Sequence, residues 1–244
     1  MRDDRRPGFG FEQAVAPGGY LWWYADGVSE DQRHAITVIA FVGSVFSPNY
    51  AAARRRGPAD PLQYCAINVA IYGAEKRRWC FSEYAKTAVS RSPDAITIGN
   101  NRVHWERGTL VFDIDDRTSI LGLPVRGSIR LTPSAVNRQP FELDPAGRHQ
   151  WWPVAPHAQL SVALDRPGLT FRGEGYHDTN LGSEPLEQAF RSWSWSRTPR
   201  PDGVWVTYDC KLRDGSAHPR AWRFDQGRGV PVELEQPVHR LPKT

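Results

Sequence analysis

What most limits the fold of this chain is a succession of short β-branched or alternating runs, each closed by turn residues. They read "AITVIAFVGSVF" (35–46), "CAINVAIYG" (65–73), "WCFSEY" (79–84), "AITIGNNRVHW" (95–105) and "TLVFDIDD" (109–116). Then come "VRGSIRLTP" (125–133), "AQLSVAL" (158–164), "LTFRGEGYHD" (169–178), "VWVTYDCKL" (204–212) and "AWRFD" (221–225). Gly-Asn-Asn, Glu-Arg-Gly, Arg-Pro-Gly, Pro-Asp-Gly and Arg-Asp-Gly punctuate them. Strands this short, at this spacing, predict an all-β barrel or sandwich. Only "NYAAARRR" (49–56) and "SEYAKTAVSR" (82–91) offer two or three turns of helix.

At 244 residues the chain can form one large β domain or two smaller ones. Ten Trp against one Met favour strands and ring-lined cavities. The polar stretch "TNLGSEPLEQ" (179–188) is the best boundary, dividing the chain into 9–183 and 184–244. The second segment has too few strands to close a barrel alone. It therefore leans on the first or forms an incomplete second domain, with a Pro-punctuated end, "PVHRLPKT".

Cys65, Cys80 and Cys210 make an odd count without CxxC, which indicates neither a disulfide framework nor a zinc knuckle and fits a reducing, cytosolic compartment. The start, "MRDDRRPGFGFEQ", carries no signal-peptide core. The longest apolar run is shorter than the roughly 20 residues of a bilayer-spanning helix. Net charge is +4, and the basic residues gather in small knots, Arg54–Arg56 and Lys76–Arg78. Such knots serve as solvated surface or as contacts for an anionic membrane, and no nucleic-acid motif accompanies them.

No cofactor or metal is signalled. "GFGFEQ" lacks the third glycine of a dinucleotide fingerprint, and Walker, HExxH and GxSxG patterns are absent. The histidines show no ligand spacing. "DIDDR" (113–117) reads as a hairpin turn after "TLVF".

The informative stretch is "GEGYHDTN" (173–180). On a strand, Glu174, Tyr176 and Asp178 share one face and His177 takes the other. In "RHQWWP", His149 and Trp151 share a face and Trp152 points away. Singly, His149 reads as a surface histidine and Trp151 as core. If the two faces meet, one cavity holds a carboxyl, an imidazole, a phenol and an indole. Burial keeps such a carboxyl protonated near neutral pH, so it can act as a general acid. Aromatic faces stabilise a cation. The combination suits protonation of an unactivated alkene. A carrier of apolar ligands needs neither the acid nor the histidine. A glycosidase needs closer carboxylates than Glu174 and Asp178, about 13 Å apart along a strand.

Nearly the whole chain resembles the carotenoid 1,2-hydratases (hydroxyneurosporene synthases). The resemblance is carried by "LWWYADGVSEDQRHAITVIAFVGSVFSPNYAAARRRGPADPLQYCAINVAIYG", "GRHQWWPVAPHAQLSVAL", "GEGYHDTNLGSEPLE" and "WSWSR". It implies a lipocalin-like, AttH-type fold of two β domains. It also implies cofactor-free addition of water to the 1,2 double bond of acyclic C40 carotenes: neurosporene, lycopene and their monohydroxy forms. The family's site residues fall on His149, Trp151, Tyr176 and Asp178. Asp178 is implied as proton donor to C2, and Trp151 and Tyr176 as facing the cation at C1. His149 is implied as tuning or reprotonating Asp178, or as orienting the water. Family members generally continue beyond the position of Thr244, so the second domain is expected to be incomplete. An enzyme with a bilayer-dissolved substrate is expected in the cytoplasm on a membrane surface, attached peripherally through Arg54–Arg56 and Lys76–Arg78 beside aromatics such as Trp79.

Overall fold

The computed structural model describes residues 7–233; the end "PVHRLPKT" lies outside them. The all-β expectation holds. The first sheet begins with β1 (Tyr20–Ser29), β2 (Ala35–Val42), β3 (Cys65–Tyr72), β4 (Arg78–Tyr84), β5 (Val89–Arg91) and β6 (Ala95–Ile98). It continues with β7 (Asn101–Glu106), β8 (Thr109–Arg117), β9 (Pro124–Pro133), β10 (Phe141–Glu142), β11 (His149–Arg166) and β12 (Leu169–Gly182). Its order is β4-β3-β2-β1-β12-β11-β9-β8-β7-β6-β5, with β10 paired to β11. It nearly closes on itself, for Ser82 Oγ donates to Asp116 Oδ1 at 2.7 Å and Phe81 N donates to Ser119 Oγ at 2.8 Å. The second sheet holds β13 (Phe190–Arg200), β14 (Gly203–Leu212), β15 (Ala217–Asp225) and β16 (Arg228–Pro231) in chain order.

The barrel interior is a packed core, with Val38, Ile67, Phe112, Leu131 and Val162 all fully buried in one cluster. Each such side chain contributes about 1.5–3 kcal/mol by leaving water. A second cluster lies outside the barrel wall. There Tyr20, Trp151 and Tyr176 meet Val206, Tyr208, Trp222 and Phe224 of the second sheet. The second sheet thus covers the outer face of β1, β12 and β11.

β11 reaches across both regions. Its pairing with β12 shifts register between Trp152 and Ala155 and again between Ala155 and Ala158. The shifts coincide with Pro153 and Pro156, which have no N–H to give a ladder. At Gly173 a Cβ would meet the Val28 carbonyl at 1.9 Å, so only glycine permits β1 and β12 to approach there.

Three sequence expectations change. Residues 82–91 do not form an α-helix; β4 ends at Tyr84, a short 3₁₀ turn spans Lys86–Ala88, and β5 follows. "DIDDR" is no turn either. It belongs to β8, where Asp116 is buried and accepts bonds from Ser82 and Asn101, partners far off in sequence. β1 goes unmarked as a strand, because Leu21, Trp23 and Ala25 pack inward while Tyr20, Trp22 and Tyr24 pack outward. A strand covered on both faces loses the polar alternation that would reveal it. The helix expected at 49–56 is present as α1 (Pro48–Arg56), capped by Ser47 Oγ, which accepts from Tyr50 N.

Candidate active site

β12 supplies the acid. Its neighbours are β1 and β11, and the register sets Asp178 opposite Tyr24 and Trp151 opposite Asn180. Tyr176, Asp178 and Trp151 therefore emerge on the outer face, under the second sheet. His177 turns into the barrel, as period 2 requires.

Trp151 Nε1 donates to Asp178 Oδ2 at 2.8 Å, and the Tyr176 hydroxyl donates to the same oxygen at 2.8 Å. Both side chains are fully buried, Asp178 is 5% exposed, and its Oδ1 has no partner. Burial pushes the carboxyl up to about 7; the two donors oppose that rise, and the nearby Asp26 adds to it. With Oδ2 saturated by donors, the proton of the neutral acid belongs on Oδ1.

Asp178 lines a cavity of about 150 Å³ between the two sheets, together with Trp22, Tyr24, Phe41, Asn180, Trp195 and Tyr208. That is about the volume that takes up one benzene-sized group. Its mouth carries Phe46 and Trp193, which are 55% and 44% exposed. Two further buried polar atoms of the lining residues are short of partners: Trp195 Nε1 has none, and Asn180 Nδ2 faces the Tyr208 hydroxyl without a well-formed bond. An aromatic cage, a proton donor and a pair of unpaired N–H donors thus meet in one small space.

Asp26 organises the neighbouring wall. It accepts from the Tyr24 hydroxyl at 2.8 Å and from Arg197 of β13 at 2.6 Å. The Arg197 guanidinium lies 5.5 Å from the Tyr176 ring centre. This ion pair ties the second sheet to the first directly beside the acid.

The structure brings together three of the four residues read from sequence. Trp151 and Tyr176 do not line the cavity. Their rings are walled in by Tyr208, Trp222 and Trp195, and their polar atoms hold the acid. His149 stands apart, since it pairs with Gly182, four positions from Asp178 and about 13 Å along the sheet. Its Nδ1 bonds the Tyr20 hydroxyl at 2.9 Å, and its Nε2 lies 3.4 Å from Glu184 Oε1, poorly aligned for a bond. Burial pushes its pKa down. One link from it to the cavity runs through Tyr20, which stacks on Trp22 at 4.8 Å. Glu174 is exposed, near His157.

Sequence reasoning missed Trp22, Tyr24, Asn180, Trp195 and Tyr208. One signal was present in "RSWSWSR", where serines alternate with Trp193, Trp195 and Arg197 as on a half-covered strand. Among the described residues, no group of three or more His, Cys, Asp or Glu side chains gathers to hold a metal.

The family model described as "Carotenoid hydratase CrtC" matches residues 38–244. The chain belongs to this family. It is 45% identical, over 96% of its length, to an acyclic carotenoid 1,2-hydratase of Thiocapsa roseopersicina, and covers 58% of that protein. It is 44% identical, over 95% of its length, to an acyclic carotenoid 1,2-hydratase of Rubrivivax gelatinosus, covering 65% of it. The chain thus spans about three fifths of the length of these relatives. Among solved structures, a putative AttH of Nitrosomonas europaea matches at TM-score 0.64 and 17% identity, over 91% of this chain and 70% of that one. A kievitone hydratase from Nectria haematococca matches at TM-score 0.58 and 12% identity, over 97% and 72%. At those identities the likeness establishes the AttH-like fold.

Proposed function

We propose that the chain adds water across the terminal 1,2 double bond of acyclic C40 carotenes such as neurosporene, lycopene and their monohydroxy forms, without a cofactor. The reading rests on one observation: a buried carboxyl poised near pH 7 in the wall of an aromatic cavity, with one oxygen held by two donors and the other unpaired.

The reaction follows from that arrangement. The Asp178 Oδ1 proton passes to C2, and the π electrons form the new C2–H bond. C1 becomes a tertiary cation, faced by the π systems of Trp22, Tyr24, Trp195 and Tyr208. Water adds to C1 and loses its proton to the Asp178 carboxylate, which regenerates the acid. The unpaired Asn180 Nδ2 is suited to hold that water at its oxygen. Trp151 and Tyr176 keep the carboxyl in one rotamer and leave the proton on the cavity side. The cavity takes the branched end of a polyene and leaves the remaining chain outside.

The test is incubation of the purified chain with lycopene and with neurosporene in D₂O, with EDTA and no added cofactor. The expected product is the 1-hydroxy carotene carrying one deuterium at C2. A 1-hydroxy product without that label, or loss of turnover on chelation restored by a metal, would overturn the general-acid reading. Binding without any product would make the chain a carrier.

A further inference from the structure

The turn between β8 and β9 projects Ile120 and Leu121, which are 85% and 75% exposed and are the most exposed large apolar side chains among the described residues. Trp79, at 50%, adjoins them, for its carbonyl accepts from Ser119 N at 3.1 Å. The turn is built to hold this posture. Thr118 N donates to Leu123 O at 2.8 Å, Gly122 N donates to Thr118 O at 3.0 Å, and Leu123 N donates to Thr118 Oγ1 at 2.9 Å. Gly122 has φ +62°, a conformation that glycine adopts freely. A slack loop would fold its apolar side chains back; this one carries them outward on a hydrogen-bonded frame.

The surroundings are cationic. Stretch 75–79 sets Lys76, Arg77 and Arg78 against Glu75, and exposed Arg117 leads into the turn and donates to Gly122 O. The acids nearest in sequence are spent, because Asp116 is buried and bonded while Asp115 lies 3.8 Å from Arg126. Stretch 118–124, "TSILGLP", contains no acid. An apolar tip, a tryptophan whose Nε1 is tied to Asn68 Oδ1, and a basic collar match an anionic bilayer in both polarity and charge.

We infer that the 118–123 turn is a membrane-docking element whose partner is an anionic lipid surface. Ile120 and Leu121 enter the acyl boundary, Trp79 lies at headgroup level, and Arg77, Arg78 and Arg117 meet the lipid phosphates. This keeps Lys76–Arg78 and Trp79 from the contact expected from sequence and adds the turn. In the other expected knot Arg54 is unavailable, since its side chain is 7% exposed, pairs with Glu187 at 2.8 Å and lies over Tyr50, while Arg55 and Arg56 are exposed. A consequence that rests on the hydratase reading concerns the route of the substrate. Phe81, whose N–H bonds Ser119, packs with Ile39, Phe41 and Ala66 on the face that leads to the cavity. A polyene leaving the bilayer beside the tip has an apolar path to Asp178.

The test uses the full chain and protein-free, carotene-free vesicles, so it does not depend on the hydratase reading. Flotation should show binding to phosphatidylcholine–phosphatidylglycerol vesicles that weakens with salt. An Ile120→Asp, Leu121→Asp double variant should lower the partition coefficient at least tenfold with an unchanged melting temperature. Arg77→Ala with Arg78→Ala should remove the preference for phosphatidylglycerol. As an independent measure, Leu121→Cys can be labelled selectively with an environment-sensitive dye, because Cys65, Cys80 and Cys210 are buried; its emission should shift to the blue on vesicles. Absence of vesicle binding, undiminished binding of the double variant, or binding without that shift would overturn the inference.

Discussion

His177 and Asp178 are chain neighbours on one strand, both buried, in opposite regions of the molecule. His177 points into the barrel, where its Nδ1 donates to the Tyr24 carbonyl at 2.7 Å and burial pushes its pKa down to about 4. Asp178 points outward under the second sheet, and burial pushes it up to about 7. The cause is the same and the direction opposite, because a histidine is charged when protonated and a carboxyl when not. Burial therefore neutralises both groups. What separates them is what each faces. His177 lies inside the barrel, edge-on to Trp105 at 6.0 Å and with its Nε2 unpaired, whereas Asp178 lines the aromatic cavity between the sheets. Both groups keep one unpaired polar atom, His177 Nε2 and Asp178 Oδ1, but of the two only the acid lines the cavity between the sheets.

The contrast can be broken from the core side first. Phe112→Ala should destabilise the chain by about 3–5 kcal/mol in urea unfolding, since the barrel cannot collapse around the lost ring. Asp178→Asn should do the reverse, leaving the fold intact while hydration falls at least ~100-fold. If that variant keeps near-normal turnover, Asp178 is not the acid.

Proton linkage gives a third test, with opposite signs for the neighbours. A carboxyl whose folded pKa is raised loses stability as pH climbs from about 4 to about 7. A histidine whose folded pKa is lowered loses stability as pH falls from about 6.5 to about 4. Asp178→Asn should therefore gain stability relative to the parent as pH rises from 4 to 8, by roughly 4 kcal/mol at about 1.4 kcal/mol per pH unit between the unfolded and folded pKa. For His177→Leu the difference should grow as pH falls. Melting curves at pH 4 to 8 read both. Equal slopes would mean that the two regions do not differ as described.

The smallest expected effect is the most local. Asn180→Ala removes the unpaired Nδ2 without touching the acid, and should lower turnover about tenfold with little change in carotene binding, because an apolar chain binds mainly by burial. A change in binding alone would give Asn180 a packing role.

How much of this was legible in the sequence depends on the range of the interaction. Period 2 placed Tyr176 with Asp178 and turned His177 away, since alternation is a local property of an extended chain. It could not say which face is inside. Here Asp178, Trp151 and Tyr176 lie on the outer face, under the second sheet. Nor could it show that Trp151 and Tyr176 present their polar edges, because those hydrogen bonds depend on how β11 packs against β12. His149 shared a face with Trp151 as expected, yet the register moved it along the sheet to Glu184. "DIDDR" failed for a similar reason: an aspartate reads as a turn former until its buried partners, Ser82 and Asn101, come from elsewhere.

The acid and both of its donors are on β11 and β12, while Trp193, Trp195 and Tyr208 approach from the second sheet. The acid and its donors thus belong to one sheet, while the chamber is closed by both, since Trp22, Tyr24 and Phe41 line it as well. Trp195 and Tyr208 also pack on Tyr176 and Trp151, so changes there reach the donors of the acid, whereas Trp193 at the mouth can change without that contact. In laboratory evolution of the proposed hydratase, a library at Phe46 and Trp193 would vary the entrance while leaving Asp178, Trp151 and Tyr176 in place.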